Sequence, residues 1–270
     1  MDLEENLESL SLQNSDQSQS RELWRMKVAS NVFFIYDDED GFANAIAQGL
    51  CPTPYPYNKV FELLHLGLRE YDHKYLNLTG SVAQLRDEDN AKATMVMLHH
   101  LEPPILSHAI NAVLAKIADA KRISSTVPSI VAPFLVPASK LKLEGGNLTT
   151  NSNKLPLYGI QVGPETDASR VIAAKTQKPP LSLQIHYEPL ACFLQIVRAA
   201  NLPTSIIVGQ RSQSPFNEAL IEDQETLYEI GELMASTTGT YFRREQMKTN
   251  WIPTAKSGSG GREPWRAFYG

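Results

Sequence analysis

Apolar runs alternate with segments of helical period from residue 31 to residue 242. Asn31-Val32-Phe33-Phe34-Ile35-Tyr36 is closed by Asp37-Asp38-Glu39-Asp40-Gly41. That pattern predicts a buried strand ending in an acidic turn. The turn is suited to cap a short helix carrying Phe42, Ala45 and Ile46. Pro52-Thr53-Pro54-Tyr55-Pro56 then breaks the chain. Lys59 to Tyr71 reads as a helix, with Val60, Phe61, Leu64 and Leu68 on one side. Thr94 to His99 predicts a second buried strand. Past Glu102-Pro103-Pro104, a helix carries Ile105, Ala109, Ala112, Val113 and Ile117 at three- and four-residue spacing.

Ser129 to Val136 is a third apolar run, which Pro133 demotes to an edge or bulged strand. A polar loop with Gly145-Gly146 spans Glu144 to Pro156, and Leu157 to Val162 reads as a short strand. Next come a strand at Leu181 to His186, a helix opened by Glu188-Pro189, a stop at Asn201-Leu202-Pro203 and a strand at Thr204 to Val208. Strand, crossover helix, strand predicts a parallel pair. A last helix spans roughly Asp223 to Ala235. The expected fold is a single α/β domain over residues 30–242, with a partly parallel sheet flanked by helices.

Charge is distributed unevenly around that body. The formal net charge is −5, which argues against a general nucleic-acid binder. Residues 1–29 form an acidic leader, rich in Ser, Gln and Asn, with the composition of a disordered segment. No basic start followed by an apolar stretch is present, and no run approaches the ~18 apolar residues of a membrane helix. The expected setting is the cytoplasm or also the nucleus, with no membrane partner. The two cysteines, Cys51 and Cys192, fit a reducing compartment.

Catalytic motifs are sparse. Asp38 and Asp40 stand two residues apart after an apolar strand, as in Mg²⁺-dependent phosphatases of the haloacid dehalogenase type. Such enzymes need a second acidic pair, and no apolar strand here ends in one. A solvated turn is the simpler reading. His99-His100 and His186 follow strands, where α/β proteins often keep chemistry, yet no Cys, Asp or Glu accompanies them at zinc-ligand spacing. Ser205, Ser212 and Ser214 lack a Gly-x-Ser-x-Gly elbow. No glycine-rich phosphate loop exists. The reading is therefore non-enzymatic, without cofactor or metal.

The ending carries the clearest recognition chemistry. Residues 243–270 read as a flexible basic tail, with no surviving helical or strand period. Its six basic side chains face only Glu245 and Glu263, and Ser257-Gly258-Ser259-Gly260-Gly261 is linker composition. The sequence closes on Phe268-Tyr269-Gly270, a hydrophobic residue, a Tyr and a residue that would carry the free carboxylate. An apolar slot with a Lys or a backbone nest at its mouth would accept that group. Trp251 and Trp265 are further aromatic residues of the tail, with no assigned contact.

The segment Pro180 to Gln210, PLSLQIHYEPLACFLQIVRAANLPTSIIVGQ, together with the hydrophobic-Tyr-x ending, resembles the proteasome assembly chaperone 1 family. The resemblance implies a non-enzymatic assembly factor that pairs with a second, related chaperone. It further implies binding to the α-subunit ring of the proteasome core particle. Phe268, Tyr269 and the Gly270 carboxylate would enter a pocket between neighbouring α subunits. The polar loop near Gly145 and the long Gly/Ser tail have no counterpart in that pattern.

Overall fold

A computed structural model describes residues 28–37, 41–51, 58–69, 75–87, 90–119, 127–143, 156–212 and 216–250. The acidic leader to residue 27, Asp38 and Asp40, and residues 251–270 lie outside them. In chain order the elements are β1 (Asn31–Tyr36), α1 (Phe42–Gly49), β2 (Leu50–Cys51), β3 (Asn58–Arg69), β4 (Tyr75–Asp87), β5 (Asn90–Leu98), α2 (Ile105–Asp119), β6 (Ser129–Pro137) and β7 (Leu141–Leu143). There follow β8 (Tyr158–Val162), α3 (Asp167–Lys175), β9 (Leu183–Ile185), α4 (Glu188–Ala200), β10 (Thr204–Arg211), α5 (Phe216–Thr238), β11 (Tyr241–Phe242) and α6 (Arg244–Asn250).

A seven-stranded mixed sheet in the order β3-β4-β5-β1-β6-β10-β8 is covered by helices on both faces. Its middle, β5, β1, β6 and β10, is parallel, and both flanks are antiparallel. The fold is α/β with a partly parallel sheet, as the alternation predicts. Strand parity assigns the two faces. Val32, Phe34 and Tyr36 of β1 pack with α2 and α4, where Phe34 stacks on Phe193 at 4.7 Å between centroids. Phe33 and Ile35 point the other way, into a second core with α1, α3, α5 and α6.

Three expectations need correction. Lys59 to Tyr71 is not a helix: residues 58–69 form β3, paired antiparallel with β4 along its whole length. The spacing Val60, Leu64, Leu68 satisfies a period of two as well as one of 3.6, and cross-strand pairing with β4 decides between them. Leu64 and Leu66 are buried on the face that α2 covers.

Pro133 does not make β6 an edge strand. β6 lies between β1 and β10. Ser129 donates to Ser30 on the β1 side and Ile130 to Pro203 on the β10 side. Residues of Pro133's parity therefore face β1, and the β1–β6 register ends at Phe33↔Val131, before the proline. The missing N–H falls where that ladder has stopped.

Third, β9 is not a parallel neighbour of β10. It pairs antiparallel with β7 in a separate two-stranded sheet, and β10 takes β6 and β8 as neighbours. The predicted helix α4 and its stop are present, with Asn201 in the left-handed region at φ 48°.

The folded body also continues past residue 242. β11 pairs with β2, Arg243 donates its backbone N–H to Gly49, and Met247 of α6 is fully buried.

Candidate functional site

The carboxyl ends of β1 and β5 hold the densest polar cluster among the candidate residues. These strands are parallel neighbours with Tyr36 opposite Leu98. After β1 the chain goes to α1 on one face of the sheet, and after β5 to α2 on the other. Adjacent parallel strands whose connections leave to opposite faces open a crevice at their carboxyl ends, the usual ligand position in such sheets.

Asp37 stands at that point. Its Oδ1 accepts the backbone N–H of Ala43 at 2.8 Å, in the first turn of α1, and its Oδ2 lies 3.6 Å from His99 Nδ1. The Tyr36 hydroxyl accepts the Leu101 N–H at 3.2 Å and lies 3.0 Å from His100 Nδ1. It is also 3.3 Å from the Leu101 carbonyl oxygen. Tyr36 thereby ties the end of β1 to the turn leaving β5, and both imidazoles reach the surface. The sequence marks Tyr36 and Asp37 only as a strand end and an acidic turn. Their pairing with His99 and His100 spans more than sixty residues and has no local signature.

The other sequence candidates do not converge there. His186 follows β9 in the small sheet, with its Nε2 3.4 Å from Gln184 Oε1. Ser205 is buried inside β10, and its Oγ meets no hydrogen-bond partner among the described residues. Ser212 donates its backbone N–H to Asp223 at 2.6 Å and its hydroxyl to Glu222. Asp38, Asp40, Ser214, Phe268, Tyr269 and Gly270 lie outside the described residues. Among the described residues no group of three or more His, Cys, Asp and Glu side chains could hold a metal ion. None of the described helices is long and apolar enough to cross a membrane.

Cysteine chemistry has little footing. Cys51 is buried, its Sγ donating to Gln246 Oε1 at 3.3 Å. Cys192 lines a cleft between α2 and α4 with Leu106, Ser107 and Glu188. Burial and, secondarily, the Glu188 carboxylate push the Cys192 thiol up, away from the reactive thiolate.

Residues 26–270 match the model of a family described as a domain of unknown function, DUF7894. The chain belongs to the DUF7894 family. No curated protein matches it in sequence. Among solved structures, the chain is similar to PbaB of Pyrococcus furiosus, an archaeal proteasome activator. That likeness has 10% identity and a TM-score of 0.51, covering 84% of this chain and 91% of the other. A Mycobacterium tuberculosis proteasome-assembly chaperone homologue aligns at 10% identity and TM-score 0.35, over 88% of this chain and 99% of its own. An S-adenosylhomocysteine nucleosidase from Streptococcus pyogenes aligns at 11% identity and TM-score 0.36, over 79% of this chain and 96% of its own. The match to PbaB shows a shared fold. The two weaker ones do not choose between a chaperone and a nucleosidase.

Proposed function

We propose that this DUF7894 member is a non-enzymatic assembly factor for the proteasome core particle. It binds the α-subunit ring through Phe268-Tyr269-Gly270 and pairs with a second, related chaperone. What carries the reading is a coincidence: a hydrophobic-Tyr-x ending on a chain whose fold is similar to that of an archaeal proteasome activator. The reading takes Gly270 as the carboxyl terminus. Phe268 and Tyr269 supply large, rigid anchors at low entropy cost. The terminal carboxylate adds a charge-assisted contact worth about 1.5–3 kcal/mol when desolvated.

The site of attachment of the tail supports the same reading. α6 is held by Met247 in the second core, by an ion pair of Arg244 with Glu225, and by the Arg244 guanidinium over the Tyr228 ring at 4.9 Å. The tail therefore springs from Asn250. Residues 251–270 have a fully extended reach of roughly 70 Å, so the ending acts as a second attachment beside any contact by the body.

The alternative, a Mg²⁺-dependent phosphatase using Asp38 and Asp40, rests on two residues outside the described ones, and no apolar strand of the sequence ends in the second acidic pair that it needs. The deciding experiment is capture of proteasome α subunits by three forms of the chain: intact, lacking residues 268–270, and extended beyond Gly270. The intact form captures the subunits and the other two do not. Equal capture by all three refutes the role of the ending. No capture by any refutes the function.

A further inference from the structure

β3 is a long outer strand, and one of its faces carries apolar side chains that stay exposed among the described residues. It is first in the sheet order, so among the described residues its outer edge has no strand neighbour. Twelve residues is about twice a typical strand, and natural sheets keep unpaired edges short or charged. Here Phe61 is 49% exposed and Leu63 68%, side by side on one face, and Val60 on the other face is 37% exposed. Elsewhere among the described residues, large apolar side chains reach solvent singly, at Leu181 and Ile221. Glu62 is the one exposed charge between Val60 and Leu63.

We propose that the β3 edge pairs antiparallel with β3 of a second copy of this chain, about a twofold axis at Leu63, joining the two sheets. This rests on the strand itself and is independent of the assembly reading above.

Three observations converge on that occupant. A twofold axis normal to the sheet sets residues of the same parity opposite each other, which preserves both faces. The midpoint of β3 lies between Leu63 and Leu64, so an axis at Leu63 lets nearly the whole strand pair. Leu63 is also the most exposed apolar side chain among those described in β3. In that register Leu63 faces Leu63 of the second copy, and each Phe61 lies diagonal to the opposite Leu63. The four side chains form a continuous apolar line. An axis at Glu62 would set two carboxylates opposite each other, which disfavours that register.

Size bounds the strength. At ~3.4 Å per residue and ~10 Å of sheet thickness the strip measures roughly 400 Å² per copy. The two copies together bury roughly 800 Å², below the roughly 1,000 Å² of a stable specific interface and in the range of weak, transient contacts. The pairing is therefore reversible and concentration-dependent.

The test uses the full chain. Its mass is measured by light scattering between about 1 µM and about 1 mM, beside Leu63→Glu. A cross-link test follows with Leu63→Cys in a Cys192→Ser background, oxidised beside Leu181→Cys in the same background. Leu181 is exposed far from this edge in sequence and belongs to no strand. The expected result is a shift from one chain mass to two, abolished by Leu63→Glu with thermal unfolding unchanged. Rapid disulfide-linked dimer is expected from Leu63→Cys alone. Should Leu63→Glu fail to fold, the cysteine pair still decides. A chain monomeric throughout, or a Leu63→Cys that cross-links no better than Leu181→Cys, overturns the proposal. So does a β3 edge that proves to hold a different protein while the chain alone stays monomeric.

Discussion

The Phe242 ring lies so close to Gly231 that a Cβ at that glycine would sit 2.4 Å from two of its ring carbons. A Cβ at Gly49 would meet the same two ring carbons at the same distance. Phe242 is thus clamped between the end of α1 and the middle of α5, and only glycine permits both approaches. The clamp sets β11 against β2 and delivers α6 to its seat.

Gly231→Ala should destabilise the domain by about 1–3 kcal/mol, because the overpacking outweighs the helix propensity that alanine adds. Chemical denaturation gives the number. A variant as stable as the parent would mean that the ring moves aside freely.

Phe242→Ala should remove about 3–5 kcal/mol, and Met247→Ala about 2–5 kcal/mol. Both side chains are almost completely buried in the second core. Loosening α6 should also raise protease sensitivity after Arg243 and Arg244. Cleavage confined to sites beyond residue 250 would show that α6 contributes little.

Lys59 predicts a pH dependence. Its Nζ donates to the Ala47 and Gln48 carbonyl oxygens at 2.8 and 3.1 Å. Burial holds its pKa below the ordinary lysine value, Cys51 opposes that shift, and Arg243 adds to it. In the window between the lowered folded pKa and about 10.4, the unfolded chain binds the extra proton, so stability rises with pH. Relative to Lys59→Met, the parent should gain stability as pH rises across that window. Parallel stability curves for the two would show that Lys59 titrates normally.

Tyr36→Phe should lower stability by about 1–2 kcal/mol, since it strips the partner of the Leu101 N–H and of His100. Amide exchange should quicken first at Leu101. Unchanged exchange there would exclude the hydroxyl as the link between the two strand ends.

Tyr269→Ala should weaken binding to the α ring at least about tenfold, the loss expected of an interfacial aromatic anchor. The midpoint of thermal unfolding should not move. A shift in that midpoint would place Tyr269 in the fold rather than at a partner.

The apolar runs of β1, β5, β6 and β10 and the stripes of α2, α4 and α5 were legible because burial on both faces or on one face writes its own period. The class followed from their alternation. The ending Phe268-Tyr269-Gly270 is a reading of the sequence alone, and its role stands as the proposal made above.

What tertiary structure decided was neighbourhood. A four-residue spacing fits both periods, so β3 became a strand only through the whole length of β4. Pro133 is tolerated in a central strand because the β1 ladder stops before it. The Gly49–Phe242–Gly231 clamp, the Asp37–His99 and Tyr36–His100 contacts and the bare edge at Leu63 all join residues distant in sequence or depend on what lies beside a strand. Local period carries no information about such pairs, because their free energy comes from surfaces that meet only after the chain has folded.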